Sequence, residues 1–318
     1  MDFRTVVPVS EEFPKIDYQS KIFLMGSCFV ENIGKKLDWY KFQNLQNPLG
    51  IIFHPAPMAG FFQRIKNNES YSEKDVFDYN ERWQSYAAHS HLSSTSREEL
   101  ILNLNQSLQE SISFLKNATH IIISLGTAWG YKVVETGQIA ANCHKVPQKY
   151  FEKELSSVEE IVGRLKEIQE AVQDINKECT ILFTVSPVRH LKDGFVENQL
   201  SKSNLHVAVH DIIEKNTKLP IYYFPSYEIM MDDLRDYRFY KKDMLHPNEV
   251  AIDYIWERFY KSSISKDAQG ISTEINKIQK ALLHRPFAEK SDGHKKFLTE
   301  LKQKIEEIQQ KLPQINFS

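Results

Sequence analysis

The chain has little that would staple it, anchor it or coat it with charge. It carries three cysteines in 318 residues, Cys28, Cys143 and Cys179, odd in number and far apart. No CxxC pair exists, which argues against a zinc ribbon or a redox dithiol and fits a reducing compartment. No apolar run approaches the ~20 residues that span a bilayer. The N-terminal stretch has an acid at position 2, two early prolines and no apolar signal-peptide core. A cytoplasmic protein without a membrane partner is expected. A charge of one sign is lacking too. Forty basic residues face 42 acidic ones, for a formal net charge of -2. Nucleic acid is therefore not an expected partner. Internal repeats and low-complexity linkers are absent. With 41% of residues hydrophobic, a chain of this length builds a core without disulfide or metal.

What is present alternates. Short apolar runs at 21–25, 42–45, 120–126, 180–185 and 221–224 read as strands, several too continuous for one-sided burial. Helical spacing follows at 29–39, 55–65, 98–115, 156–178, 198–215 and 248–260. The spacing places an S-x-x-E capping box at Ser156 and Glu159. Residues 131–143 read as a hairpin turning at 135–138, and 83–92 as a hairpin or irregular insert. Strand–helix alternation predicts a three-layer α/β/α sandwich with a central parallel sheet. Beyond Ser265 the sequence turns rich in Lys, Glu, Gln and Leu. We divide the chain into a catalytic domain, 1–262, and a C-terminal helical extension, 263–318, packed on it. The extension is also the expected surface for any homo-oligomer.

In such sheets the sites lie beyond the carboxyl ends of the strands. Ser27 follows the first strand and opens a helix, where backbone N–H groups favour a developing oxyanion. It serves equally well as a helix cap. Cys28 beside it is a rival nucleophile, but Met25 and Phe29 around it predict a buried, inert thiol. Late in the chain, Asp243 precedes His246 by three residues, closed by Pro247. One short loop then supplies a general base and the carboxylate that orients it. The expected catalytic set is Ser27, Asp243 and His246. His89 and His91 read as a surface pair. No metal or other cofactor is expected.

These blocks are similar to the first and last blocks of SGNH/GDSL hydrolases. More specifically, Gly26-Ser27-Cys28-Phe29-Val30 and Asn47-Pro48-Leu49-Gly50 resemble the GSCFA domain family. The resemblance continues through Leu125-Gly126-Thr127-Ala128-Trp129, Ala141-Asn142-Cys143-His144 and Ser186-Pro187-Val188-Arg189-His190. It implies an SGNH-like sandwich and an oxyanion hole built from the N–H of Ser27, from Gly50, and from an asparagine after the third strand. That asparagine is Ala128 here. Asn142 is the expected substitute, with Thr127 and Trp129 as other donors. Thr127, Trp129, His144, Arg189 and His190 are expected to line the substrate pocket, with Arg189 able to clamp a carboxylate or phosphate. The function implied is a serine-dependent esterase on a small or carbohydrate ester, working through an acyl-enzyme. The alternatives are an O-acyltransferase to a sugar hydroxyl and a non-catalytic binding module.

Overall fold

The computed structural model describes residues 5–216, 220–284 and 291–317. Five strands form the central sheet: β1 (Lys21–Gly26), β2 (Gln43–Gln46), β3 (His120–Leu125), β4 (Thr180–Val185) and β5 (Ile221–Tyr223). All their pairings are parallel, in the order β2-β1-β3-β4-β5. β3 and β4 are buried at every residue, which is why His120–Leu125 and Thr180–Val185 read as unbroken apolar runs.

Successive strand residues face opposite layers. Phe23, Met25, Ile121 and Ile123 point into a core shared with α2 (Pro55–Asn67), α3 (Arg97–Leu115), α4 (Val158–Ile175) and α5 (Phe195–Lys215). Ile22, Leu24, Ile122 and Leu182 point the other way. There they meet α1 (Cys28–Trp39), α6 (Glu249–Ser263), α7 (Lys266–Leu282) and α8 (Asp292–Lys311). The result is the expected sandwich. The two C-terminal helices complete its second layer through Ile275, Ile278, Leu301 and Ile308. Tyr18 ties them down: its hydroxyl hydrogen-bonds that of Ser272 at 2.8 Å, and its carbonyl accepts from the Gln314 side chain.

Local readings shift in three places. The strand Trp129–Val133 pairs with Phe151–Leu155. The return of the expected 131–143 hairpin contributes only a single bridge, Lys132 to Ile139. The capping box lies one residue later, with Ser157 capping Glu160 N–H and the Glu160 carboxylate accepting from Ser157 N–H. Residues 83–92 hold a two-residue strand and one 3-10 turn.

The chain leaves β1 toward β2 on one side, then resumes at β3 on the other. This reversal opens a crevice beyond the carboxyl ends of β1 and β3, where ligands bind in open α/β sheets. No helix among the described residues is long and apolar enough to cross a membrane.

Candidate functional site

The floor of the crevice begins at Gly26. Its φ is +153°, and a Cβ there would collide with the backbone of Ser124 on β3, so only glycine fits. Ser27 then caps α1, accepting the Phe29 N–H at 3.2 Å. Its Oγ also bonds Ser124 Oγ at 3.1 Å and donates to Ser186 Oγ at 3.0 Å. Its own N–H goes to the Ser124 carbonyl at 3.3 Å. Ser27 is only 2% exposed. The hydroxyl and the N–H expected to carry the chemistry are thus both engaged inside the protein, as the buried setting demands.

Below this network lies a lysine that the sequence reading passed over. Lys202 on α5 is fully buried, and its Nζ donates to the carbonyls of Gly126 and Ser186, 2.7 Å each. Burial pulls its pKa down to about 7. Two acceptors match the two hydrogens of a neutral amine. Helical spacing carried the signal, because Lys202 shares the buried stripe of α5 with Asn198, Leu205 and Val209.

One residue beyond Ser27 the surroundings change. Cys28 opens α1 and is half-buried. Its N–H has no hydrogen-bond acceptor among the described residues. A cleft of about 170 Å³ opens here. Cys28, Glu31, Asn32 and Lys35 line it from one face of α1, and Lys241 and His246 from the loop before α6. Burial, followed by the charge of Glu31, raises the Cys28 pKa above the ordinary thiol range. Such a thiol reacts only where a base removes its proton.

The base loop has the expected internal geometry. His246 Nδ1 meets Asp243 Oδ2 at 2.7 Å, while Asp243 Oδ1 accepts the N–H groups of Leu245 and His246 at 2.9 and 3.0 Å. The His246 N–H, then that of Leu245, then the imidazole hold the Asp243 carboxyl down at about 2. With Nδ1 donating to Asp243, the assigned tautomer leaves His246 Nε2 as an acceptor. Met244 completes the turn at φ +59°, an unusual conformation for a bulky residue. Lys241 N–H closes the loop on the His246 carbonyl at 2.8 Å.

Arg189, expected as a substrate clamp, buttresses this loop instead. Its guanidinium carbon lies 4.3 Å from the Tyr240 ring and 5.3 Å from the Tyr237 ring. Its N–H bonds the Leu245 carbonyl at 3.2 Å. The His190 ring lies 5.1 Å from that of Phe53, tilted at 42°, and burial holds its pKa down at about 3. Its Nε2 is buried without a partner among the described residues.

The expected oxyanion donors are placed as follows. The Gly50 N–H is engaged by the Asn47 carbonyl at 2.7 Å. Asn142 accepts the His144 N–H through its Oδ1, and its amide NH2 has no protein acceptor among the described residues. His144 is buried, its Nε2 on the Ser85 carbonyl. The groups after β3 face α5 rather than the cleft: Thr127 Oγ1 and the Ala128 N–H both bond Ser201 Oγ, and Trp129 Nε1 bonds the Glu197 carbonyl. The pair read as a surface feature, His89 and His91, sits directly on Gly50. There a Cβ would strike both residues, and their Nδ1 atoms are 3.1 Å apart. Among the described residues, no three His, Cys, Asp or Glu side chains gather as a metal site.

The geometry can be set beside known proteins. No curated protein matches the chain significantly. One solved structure with a loose likeness is a carbohydrate esterase family 3 from Talaromyces cellulolyticus. It has 8% identity, 80% coverage of this chain, 99% of that one, and a TM-score of 0.36. Such a likeness is too loose to speak to activity. The family comparison is direct. Residues 21–259 match the GSCFA family, and 275–318 match the GSCFA domain protein, C-terminal domain. Together these matches take in the whole sheet, the cleft, the second half of α7 and all of α8, and the chain belongs to the GSCFA family.

Proposed function

We propose that this chain is an acyl-ester hydrolase whose nucleophile is Cys28, with His246 as general base and Asp243 as the group that orients it. The observation that carries the reading is that Cys28 and an Asp-oriented His246 line one cleft. Ser27 supports it from the other side, since its Oγ and N–H are both occupied. His246 Nε2 takes the thiol proton, and sulfur attacks the ester carbonyl. The Cys28 N–H meets the oxyanion. The alcohol leaves with the proton from His246, giving a thioester on Cys28. Water, deprotonated by His246, then releases the acid. A sugar hydroxyl entering in place of water gives acyl transfer by the same steps.

The test is acylation by p-nitrophenyl acetate followed by mapping of the adduct. We expect the acetyl group on Cys28 in the wild type and in Ser27→Ala, none in Cys28→Ala, and slow acylation in His246→Ala. An adduct on Ser27 would return the nucleophile to serine. No adduct and no turnover over a panel of acyl esters would remove the esterase reading.

A further inference from the structure

Four polar side chains of the cleft, Glu31, Asn32, Lys35 and Lys241, make no hydrogen bond or ion pair with any described residue. Lys36, the next residue on α1, pairs with Asp253. Glu31 and Lys35 stand at i and i+4, in the order that normally pairs on a helix, and they do not pair. Glu31 acts electrostatically on His89. Lys241 acts on Cys28 and is held by its own N–H on the His246 carbonyl. Two lysines and an amide are thus left to face the cleft, opposed by one carboxylate. Asp243, the other nearby acid, is taken up by three N–H donors. Of the other nearby cations, Lys202 lies beneath the floor on its two carbonyls and Arg189 packs on Tyr237 and Tyr240.

We propose that the cleft selects substrates carrying an anionic group, carboxylate or phosphate, held by Lys35, Lys241 and Asn32. The α1 face sets the spacing. Asn32 lies four residues and Lys35 seven residues beyond Cys28, or about 6 and 10 Å along the helix. The anion therefore stands one to two helical turns from the acyl carbon. This inference deepens the esterase reading and rests on it for the position of the acyl carbon. Anion binding itself needs no turnover.

Two measurements keep the two claims apart. In the first, glutarate, inorganic phosphate and neutral glutaramide are titrated into the 15N-labelled full chain, reading the Asn32 side-chain amide. We expect saturable shifts with one or both anions and none with glutaramide. We expect about tenfold weaker binding in Lys35→Gln and in Lys241→Gln, as for loss of one charged hydrogen bond, and tighter binding in Glu31→Gln. A stronger response to phosphate or to glutarate names the group. Equal responses to anions and glutaramide, or binding untouched by both lysine substitutions, would overturn the proposal. In the second, kcat/KM is compared for mono-p-nitrophenyl glutarate and p-nitrophenyl butyrate. We expect the acidic ester to be preferred at least tenfold, with the preference lost through KM in the lysine variants. Turnover without that preference overturns this inference and leaves the esterase. Anion binding without turnover does the reverse.

Discussion

Ser27 and Cys28 are adjacent in sequence and belong to two different regions. Ser27 lies in a closed network with Ser124, Ser186 and, through the Ser186 carbonyl, Lys202. Every polar atom of this floor that the chemistry would need already has a partner. Cys28 opens the cleft, where Glu31, Asn32, Lys35 and Lys241 have no side-chain partner among the described residues. The floor is buried, and a buried polar group without a partner costs stability, so its groups are satisfied. Lys35 and Lys241 are exposed and Glu31 and Asn32 half-buried, and an exposed polar group needs no partner within the protein. The contrast teaches that residue type alone does not tell how engaged a side chain is: the Ser27 hydroxyl bonds two other side chains, and the thiol next to it lines the same cleft as His246.

Four substitutions sharpen this contrast. The largest effect is expected from Cys28→Ala, which should lower acylation by about 10³-fold or more, as for other nucleophiles, with little change in melting temperature. Asp243→Asn should cost about 10²–10⁴ in acylation rate by releasing the tautomer of His246, and pH–rate profiles would check it. A loss under tenfold would remove Asp243 from the machinery.

Lys202→Met should act on stability. It leaves the Gly126 and Ser186 carbonyls without donors, a cost of about 1–3 kcal/mol each. The pH dependence has a definite sign. Between a folded pKa of about 7 and the ordinary 10.5, the unfolded chain holds a proton that the folded one lacks. Wild-type stability therefore rises with pH across that window. The penalty of Lys202→Met should be largest near pH 10, shrink toward pH 7 and stay level below. Denaturant unfolding at several pH values reads it, and a pH-independent penalty would mean that Lys202 is buried charged. The smallest effect belongs to Ser27→Ala. Loss of the cap and its partners should cost about 1–3 kcal/mol and leave Cys28 acylation within a few-fold. Complete loss of acylation in a folded Ser27→Ala would erase the distinction between the two regions.

Much of the fold was legible in the sequence because β3 and β4 are buried on both faces and announce themselves as apolar runs. The Asp243–His246 pair was legible because both partners lie in one turn. The different surroundings of Ser27 and Cys28 were not legible, because they are a matter of partners. Those partners, Ser124 and Ser186, come from strands about 100 and 160 residues away. The partners of Thr127 and Trp129 were hidden for the same reason: Ser201 and Glu197, which engage them, lie on α5. His89 and His91 read as a surface pair, and His91 is exposed; their closeness to Gly50 was hidden because nothing local says that their loop folds onto it.

The hydroxyl network has one more consequence. Ser27, Ser124 and Ser186 stand at the ends of β1, β3 and β4 and are joined at a single point. Those three ends are pinned together, whereas the side chains along α1 and the loop carrying Lys241 hang on separate supports. Asn32, Lys35 and Lys241 touch none of the three serines, so exchanging them leaves the junction of the strand ends intact.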